Sequence, residues 1–310
     1  MLDIDDVVAP DSNKKYTIQE IEELFIINRI GKRASHQTII WYEGMFRPFN
    51  RYMKTKGVIY ISDLNGAVID DYVTSITTYE IKRRQGELLS DTSAHGRARA
   101  VRALLRFALR RQYIRNEIYL EMPKVHKKEN RVLTAEEVKT LIRVAKTLRE
   151  KTAVALAVDS GLRISEMAAL RWRDIDTRSF LIKVVHGKGD KFRMVAAGGK
   201  TISLLLQLKQ SLWRNGPDDG VFQSHTSEPL TRWGLRAIYE DLSNESGIQF
   251  SAHALRRTCA KFSIQNGMDI VMVQQLLGHD NVETTRHYIQ ELDPTFIQES
   301  HRKHGVIDHL

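Results

Sequence analysis

The chain has 310 residues, 42% of them hydrophobic, which is ample for more than one buried core. Its net charge of +9 and pI of about 9.5 point to a polyanionic partner, nucleic acid ahead of membrane. No stretch approaches the ~18 apolar residues of a membrane span, the acidic start Met1-Leu2-Asp3-Ile4-Asp5-Asp6 is no secretory signal, and the single cysteine, Cys259, excludes an intrachain disulfide and is expected as a small core residue.

Residues 1–16 are polar and read as a loose tail. Thr17-Ile18-Gln19-Glu20 is a capping box, and Ile18, Ile21, Leu24 and Phe25 follow at helical spacing. The spacing of Ile39, Tyr42, Met45, Phe46, Phe49 and Met53 predicts a second helix from about Ser35 to Lys54, and a third is expected near Leu64–Ile76. A fourth, from about Ser93 to Gln112, carries Arg97, Arg99, Arg102, Arg106, Arg110 and Arg111 with no acidic residue among them, and Val101, Leu104, Leu105, Ala108 and Leu109 supply its apolar side. Such a helix can lie along a phosphate backbone, releasing counterions as each phosphate is neutralised.

Pro123 to Arg131 is basic, polar and without apolar periodicity, so it reads as a linker that itself touches phosphates. Thr134-Ala135-Glu136-Glu137 is a second capping box that opens a new domain. Helices are expected near 134–147 and 150–160, the latter ended by Gly161. Phe180–Val185 and Phe192–Ala197 alternate as a hairpin joined through Gly187-Lys188-Gly189-Asp190. Further helices follow near 200–213, 231–243, 253–266 and 269–277, with Gly267 and Gly278 as C-caps. The fold class is therefore mainly α with one small antiparallel sheet. Its organisation is a tail (1–16), a helical domain (17–122), a basic linker (123–133), a second domain (134–291) and a terminal segment (292–310). Besides Arg97, Arg99, Arg102 and Arg106, the expected phosphate contacts are Lys127, Lys128, Lys191, Arg193, Arg232, Arg236 and Arg257.

Arg163, Lys188, His253, Arg256, His279 and Tyr288 each sit in a short local signature: Ser160-Gly161-Leu162-Arg163, His186-Gly187-Lys188-Gly189, His253-Ala254-Leu255-Arg256, Leu277-Gly278-His279 and Thr284-Thr285-Arg286-His287-Tyr288. Two arginines can clamp the non-bridging oxygens of a phosphate by charge-assisted hydrogen bonds. A lysine at a glycine-flanked hairpin tip can swing in to protonate a leaving oxygen, histidines move protons, and a phenol can attack phosphorus once nearby cations ease its ionisation. Gly187-Lys188-Gly189 lacks the remaining features of a nucleotide-binding loop. No acidic cluster suits magnesium and no cysteine or paired carboxylate completes a metal site with His301, His304 and His309, so no metal and no cofactor is expected.

In this order and spacing the six residues resemble the catalytic set of the tyrosine recombinase (phage integrase) family, of the simple Xer-like or transposon-resolving kind. Ser35, Thr38, Tyr42 and Phe49 also follow the pattern of that family's helical core-binding domain. Departures are Arg257, where many members have histidine, and Gln290, where a histidine often follows the tyrosine by two. The resemblance implies a two-domain clamp around duplex DNA at specific recombination sites. It implies attack by Tyr288 to give a 3′-phosphotyrosyl link and a free 5′-hydroxyl, with Arg163 and Arg256 stabilising the transition state. Lys188 is then the acid for the leaving oxygen, assisted by His253 and His279. Strand exchange would pass through a Holliday junction in a homo-tetramer on paired sites, with the free protein a monomer or dimer. The terminal segment, with Phe296, Ile297 and Val306, would dock on a neighbouring subunit, and the protein would work in the cytoplasm on the nucleoid. A topoisomerase-like nicking-closing enzyme and a catalytically idle DNA-binding protein are the alternatives.

Overall fold

The computed structural model describes residues 11, 14–78, 88–126, 131–185 and 192–278, which fall into two compact units that divide at Lys128 and Glu129. The first unit contains α1 (Ile18–Gly31), α2 (His36–Thr55), α3 (Gly66–Thr77) and α4 (Asp91–Arg110). Thr17 caps α1 as the sequence predicts: its side chain accepts from the Glu20 backbone N–H while the Glu20 carboxylate accepts from the Thr17 backbone. These bonds, together with Lys14, hold the Glu20 carboxyl at about 2. The core is aromatic. Phe25 is packed edge-on by Tyr42, Phe46 and Phe107, with ring centroids 4.8, 5.7 and 5.6 Å away.

One carboxylate lies inside this unit. Glu22 is 7% exposed; Oε2 accepts from the Asn50 amide at 2.6 Å, whereas Oε1 is buried with no hydrogen-bond partner. Burial therefore pushes its carboxyl up to about 7 despite the help from Asn50. An acid whose pKa is higher folded than unfolded binds more protons when folded. Stability from this group is accordingly full below about pH 4.3 and declines as pH rises through about 7. Glu22→Gln is expected to gain about 1–3 kcal/mol over the parent at pH 8 and nothing at pH 4, read as urea midpoints across that range. A parent whose advantage grew with pH would contradict this.

The second unit runs α5 (Ala135–Val144), α6 (Leu148–Ser160), α7 (Ile164–Ala169), β1 (Ile175–Asp176), β2 (Leu181–Val185), β3 (Phe192–Ala196), α8 (Gly199–Ser211), α9 (Arg232–Ser246), α10 (Ala252–Gln265) and α11 (Ile270–Leu277). α6 is its central post, with Thr152 to Ala157 and Ser160 buried, and the Tyr239 hydroxyl of α9 donates to the Ala153 carbonyl at 3.0 Å. Two expectations change here. α5 ends at Val144 rather than near 147, because Thr147 caps α6 through its own capping box with Glu150. The sheet has three antiparallel strands in the order β1-β2-β3, one more than the hairpin predicted, because two residues before the turn pair with Leu181 and Ile182. In the hairpin, Ile182 faces Val195 and Val184 faces Arg193. Cys259 is buried as expected, and burial pushes its thiol up to about 12.

Candidate active site

The site is assembled at the C-terminal end of α11. An α-helix leaves its last carbonyls without intrahelical donors, and its negative end attracts cations. Here three consecutive carbonyls each receive a guanidinium from a different element. Leu276 O accepts from Arg193 Nε of β3 at 3.1 Å, Leu277 O from Arg256 Nη2 of α10 at 2.5 Å, and Gly278 O from Arg163 Nη2 at 3.0 Å. Gly278 caps the helix in the left-handed region at φ +63, where a Cβ would also lie 2.9 Å from Cδ and Nε of Arg193. Only glycine lets the chain and the guanidinium approach so closely.

Arg163 follows the left-handed cap of α6, Gly161 (φ +60), and opens α7. Its backbone N–H donates to Glu166 Oε2 at 2.8 Å and its Nη1 to Glu166 Oε1 at 2.9 Å, while the side chain keeps 36% of its surface exposed. Arg256 is buried, 4% exposed, and its second terminal nitrogen donates to the Gly161 carbonyl. His253 and Arg256, three positions apart on α10, share a helix face. Partial burial, and then the cations Arg257, Arg256 and Arg163, push the His253 imidazole down from its usual value, favouring its neutral form. Arg163 is thus brought together with His253 and Arg256 of α10, a segment far from it along the chain.

Glu166 holds this corner together. Its side chain is 7% exposed and both of its oxygens also accept from Arg193, Oε1 from Nη1 and Oε2 from Nη2, each at 2.8 Å. Burial alone would raise its pKa, but hydrogen bonds from Arg193 and the Arg163 backbone outweigh it and hold the carboxyl at about 2.

Lys188, His279, Tyr288, Lys127, Lys128 and Lys191 lie outside the described residues. Among the expected phosphate contacts, Arg193 differs most: its side chain is 11% exposed and committed to Glu166 and Leu276. Strand alternation puts it on the same face as the buried Val195, a signal the exposed apolar neighbours Phe192 and Met194 obscure. Arg97 lies across the helix from the Arg99, Arg102 and Arg106 stripe and is half-buried, close enough to influence the Tyr72 phenol. On that stripe Arg99 stacks over Trp41 at 4.7 Å. At the start of α9, Arg232 and Arg236 lie 4.7 and 6.0 Å from the exposed Trp233 ring, and Arg236 pairs with Glu240 at 2.7 Å. The two tryptophans went unread in the sequence. For Trp233 the signal was there, an arginine three positions on along the same helix; Trp41 meets Arg99 from a different helix and had no local signal.

The unit is mainly helical with a small antiparallel sheet, and three arginines meet at one helix end beside a buried carboxylate, a cationic corner suited to an anionic ligand. Residues 131–294 match the phage integrase family and residues 24–128 match the phage integrase SAM-like domain. The chain belongs to the phage integrase family; it is a tyrosine recombinase, an enzyme of site-specific recombination. It is 28% identical over 287 residues to tyrosine recombinase XerC of Bacillus pumilus (strain SAFR-032), covering 87% of this chain and 91% of that one. Its fold is shared with the Tn1549 transposon integrase in complex with circular intermediate DNA (TM-score 0.73, 17% identity, 92% of this chain and 99% of that one). It is likewise shared with a lambda integrase tetramer bound to a Holliday junction (TM-score 0.71, 17% identity, 89% and 78%). No described helix is long and apolar enough to cross a membrane.

Proposed function

We propose that this recombinase cleaves and rejoins duplex DNA through Tyr288, whose phenolate attacks the scissile phosphorus and displaces the 5′-oxygen, leaving a 3′-phosphotyrosyl link. The observation that carries the reading is the meeting of Arg163 and Arg256 on the last turn of α11, directly before His279. Two cationic forks there match the charge that builds on the non-bridging oxygens as phosphorus becomes five-coordinate. Neutral His253 donates or accepts a hydrogen bond beside them, Lys188 protonates the departing 5′-oxygen, and His279 assists. Because the phosphotyrosine keeps the energy of the broken diester, attack by a 5′-hydroxyl reseals the strand with no other energy source.

Exposed cations beside aromatic rings, Arg99 with Trp41 and Arg232 with Trp233, support phosphate and sugar contacts by both units. The two units would then close as a clamp on one duplex at a specific site. The tetramer on a Holliday junction among the structural neighbours supports the same assembly for this chain on paired sites. The free protein is then a monomer or dimer, and it works in the cytoplasm on the nucleoid.

The test uses duplexes recovered by binding from a randomised pool and then nicked, so that the cleaved fragment diffuses away and the adduct is trapped. The parent protein is expected to give a covalent protein–DNA adduct with no metal added. Tyr288→Phe is expected to give none while still shifting the duplex. An adduct that survives Tyr288→Phe would assign the nucleophile elsewhere. Adducts without four-subunit synapsis on paired duplexes would favour a nicking-closing enzyme.

A further inference from the structure

The mechanism above makes no use of Arg193, although its guanidinium bonds both to Glu166 and to the last turn of α11. We propose that Arg193 is a positioning residue of the cleavage site: it ties β3 to Glu166 and to the last turn of α11, and thereby sets where Arg163 and Arg256 are presented. The proposal rests on the cleavage chemistry proposed for this site.

The geometry is that of a strut. One edge of the guanidinium takes both oxygens of Glu166 at 2.8 Å, and Nε takes the Leu276 carbonyl at 3.1 Å. Glu166, held from that side, offers Oε1 to Arg163 Nη1 and Oε2 to the Arg163 backbone. Leu276, held at the same time, fixes the register of the next two carbonyls, which are the ones Arg256 and Arg163 grip. A single side chain thus contacts the partner of one phosphate-directed arginine and the helix end shared by both. Its burial at 11% exposure, and the glycine at 278 whose missing Cβ makes room for its Cδ, Nε and Cζ, belong to a built site rather than a solvated surface cation. A lysine could not replace it, because an ammonium cannot grip two carboxylate oxygens and a carbonyl in one plane.

Removing Arg193 would also deprive Glu166 of the guanidinium that binds both of its oxygens. The carboxylate otherwise borders a hollow lined by Arg171, Arg173, Asp174 and Lys183. A buried carboxylate deprived of its bidentate partner takes up a proton more readily, and a protonated Glu166 no longer accepts two bonds from Arg163. The strut therefore has a signature in pH that simple loss of packing lacks.

The experiment measures single-turnover adduct formation on the nicked duplexes, DNA binding by mobility shift, and thermal unfolding, all with the full chain. Arg193→Met and Arg193→Lys are each expected to slow adduct formation on the order of 10²-fold, as a misplacement near 1 Å would, with the mobility shift retained. Their rate should fall further on acidification, in a limb the parent lacks. Adding Glu166→Gln to Arg193→Met removes the stranded charge, so the limb should vanish and the rate recover to roughly tenfold below the parent. Parent-like cleavage and pH profile in Arg193→Met overturns the proposal, as does a loss confined to DNA binding with normal cleavage of bound complexes, which would make Arg193 a DNA ligand. Should Arg193→Met fail to fold, the double variant decides: parent-like cleavage by it overturns the proposal. A parent protein that forms no adduct overturns the proposed chemistry instead.

Discussion

Glu166→Ala is expected to lower the unfolding free energy by about 3–5 kcal/mol at neutral pH, the loss typical of breaking a buried ion pair from one side. The variant leaves Arg193, 11% exposed, without the carboxylate that takes both ends of its fork, and opens the first turn of α7, where Glu166 also caps the Arg163 backbone. The pKa points to a similar size. Lowering a glutamate from about 4.3 to about 2 corresponds to roughly 3 kcal/mol for a group as buried as this one. The sign follows from the direction: a depressed acid contributes its stability above the unfolded pKa and loses it as pH falls. The gap between parent and Glu166→Ala should thus be full above about pH 4.3 and shrink on the way to pH 2. Urea denaturation at several pH values measures it. A variant within about 1 kcal/mol of the parent at pH 7 would mean that the charges are solvated rather than paired.

Gly161→Ala should be nearly as damaging, at about 2–5 kcal/mol, through two additive causes. The residue sits at φ +60, a conformation that costs a side-chain-bearing residue roughly 1–2 kcal/mol. A Cβ would also lie 2.6 Å from Leu277 Cδ2 and 3.2 Å from Cys259 Sγ, and Leu277 is wholly buried. Gly247 supplies the control. It too is left-handed, at φ +71, but nothing lies within 4 Å of its missing Cβ, so Gly247→Ala carries the conformational cost alone, about 1–2 kcal/mol. The difference between the two variants isolates the crowding. Because Gly161 also offers its carbonyl to Arg256 and Leu277 offers the other, the same substitution should slow adduct formation. Equal losses at positions 161 and 247 would show that α11 gives way without resistance.

Much of the fold was legible because its signals are local. Thr17 with Glu20 and Thr134 with Glu137 announce helix starts by reciprocal hydrogen bonds that need nothing beyond four residues. Gly161 and Gly278 announce helix ends by a backbone conformation that few other residues adopt. Arg163, His253 and Arg256 were legible as chemistry because each sits where a helix begins or turns, within a short motif whose residue types suit a phosphate. The third strand was missed because two residues carry no periodicity.

What the sequence determined by itself is the inventory: a basic, mainly helical chain with two arginines, a histidine and a tyrosine of the phage integrase pattern, each tied to a local turn or cap. What only the tertiary structure decided is which cations are spent on the protein and which are left for a ligand. Arg193 and Arg99 are alike in sequence, each in a basic stretch beside apolar residues, yet one is locked onto Glu166 and the other lies over Trp41. The reason is physical. A guanidinium's role depends on the carboxylates and carbonyls within about 3 Å of it. Here those partners, Glu166 and Leu276, come from segments 27 and 83 residues away along the chain.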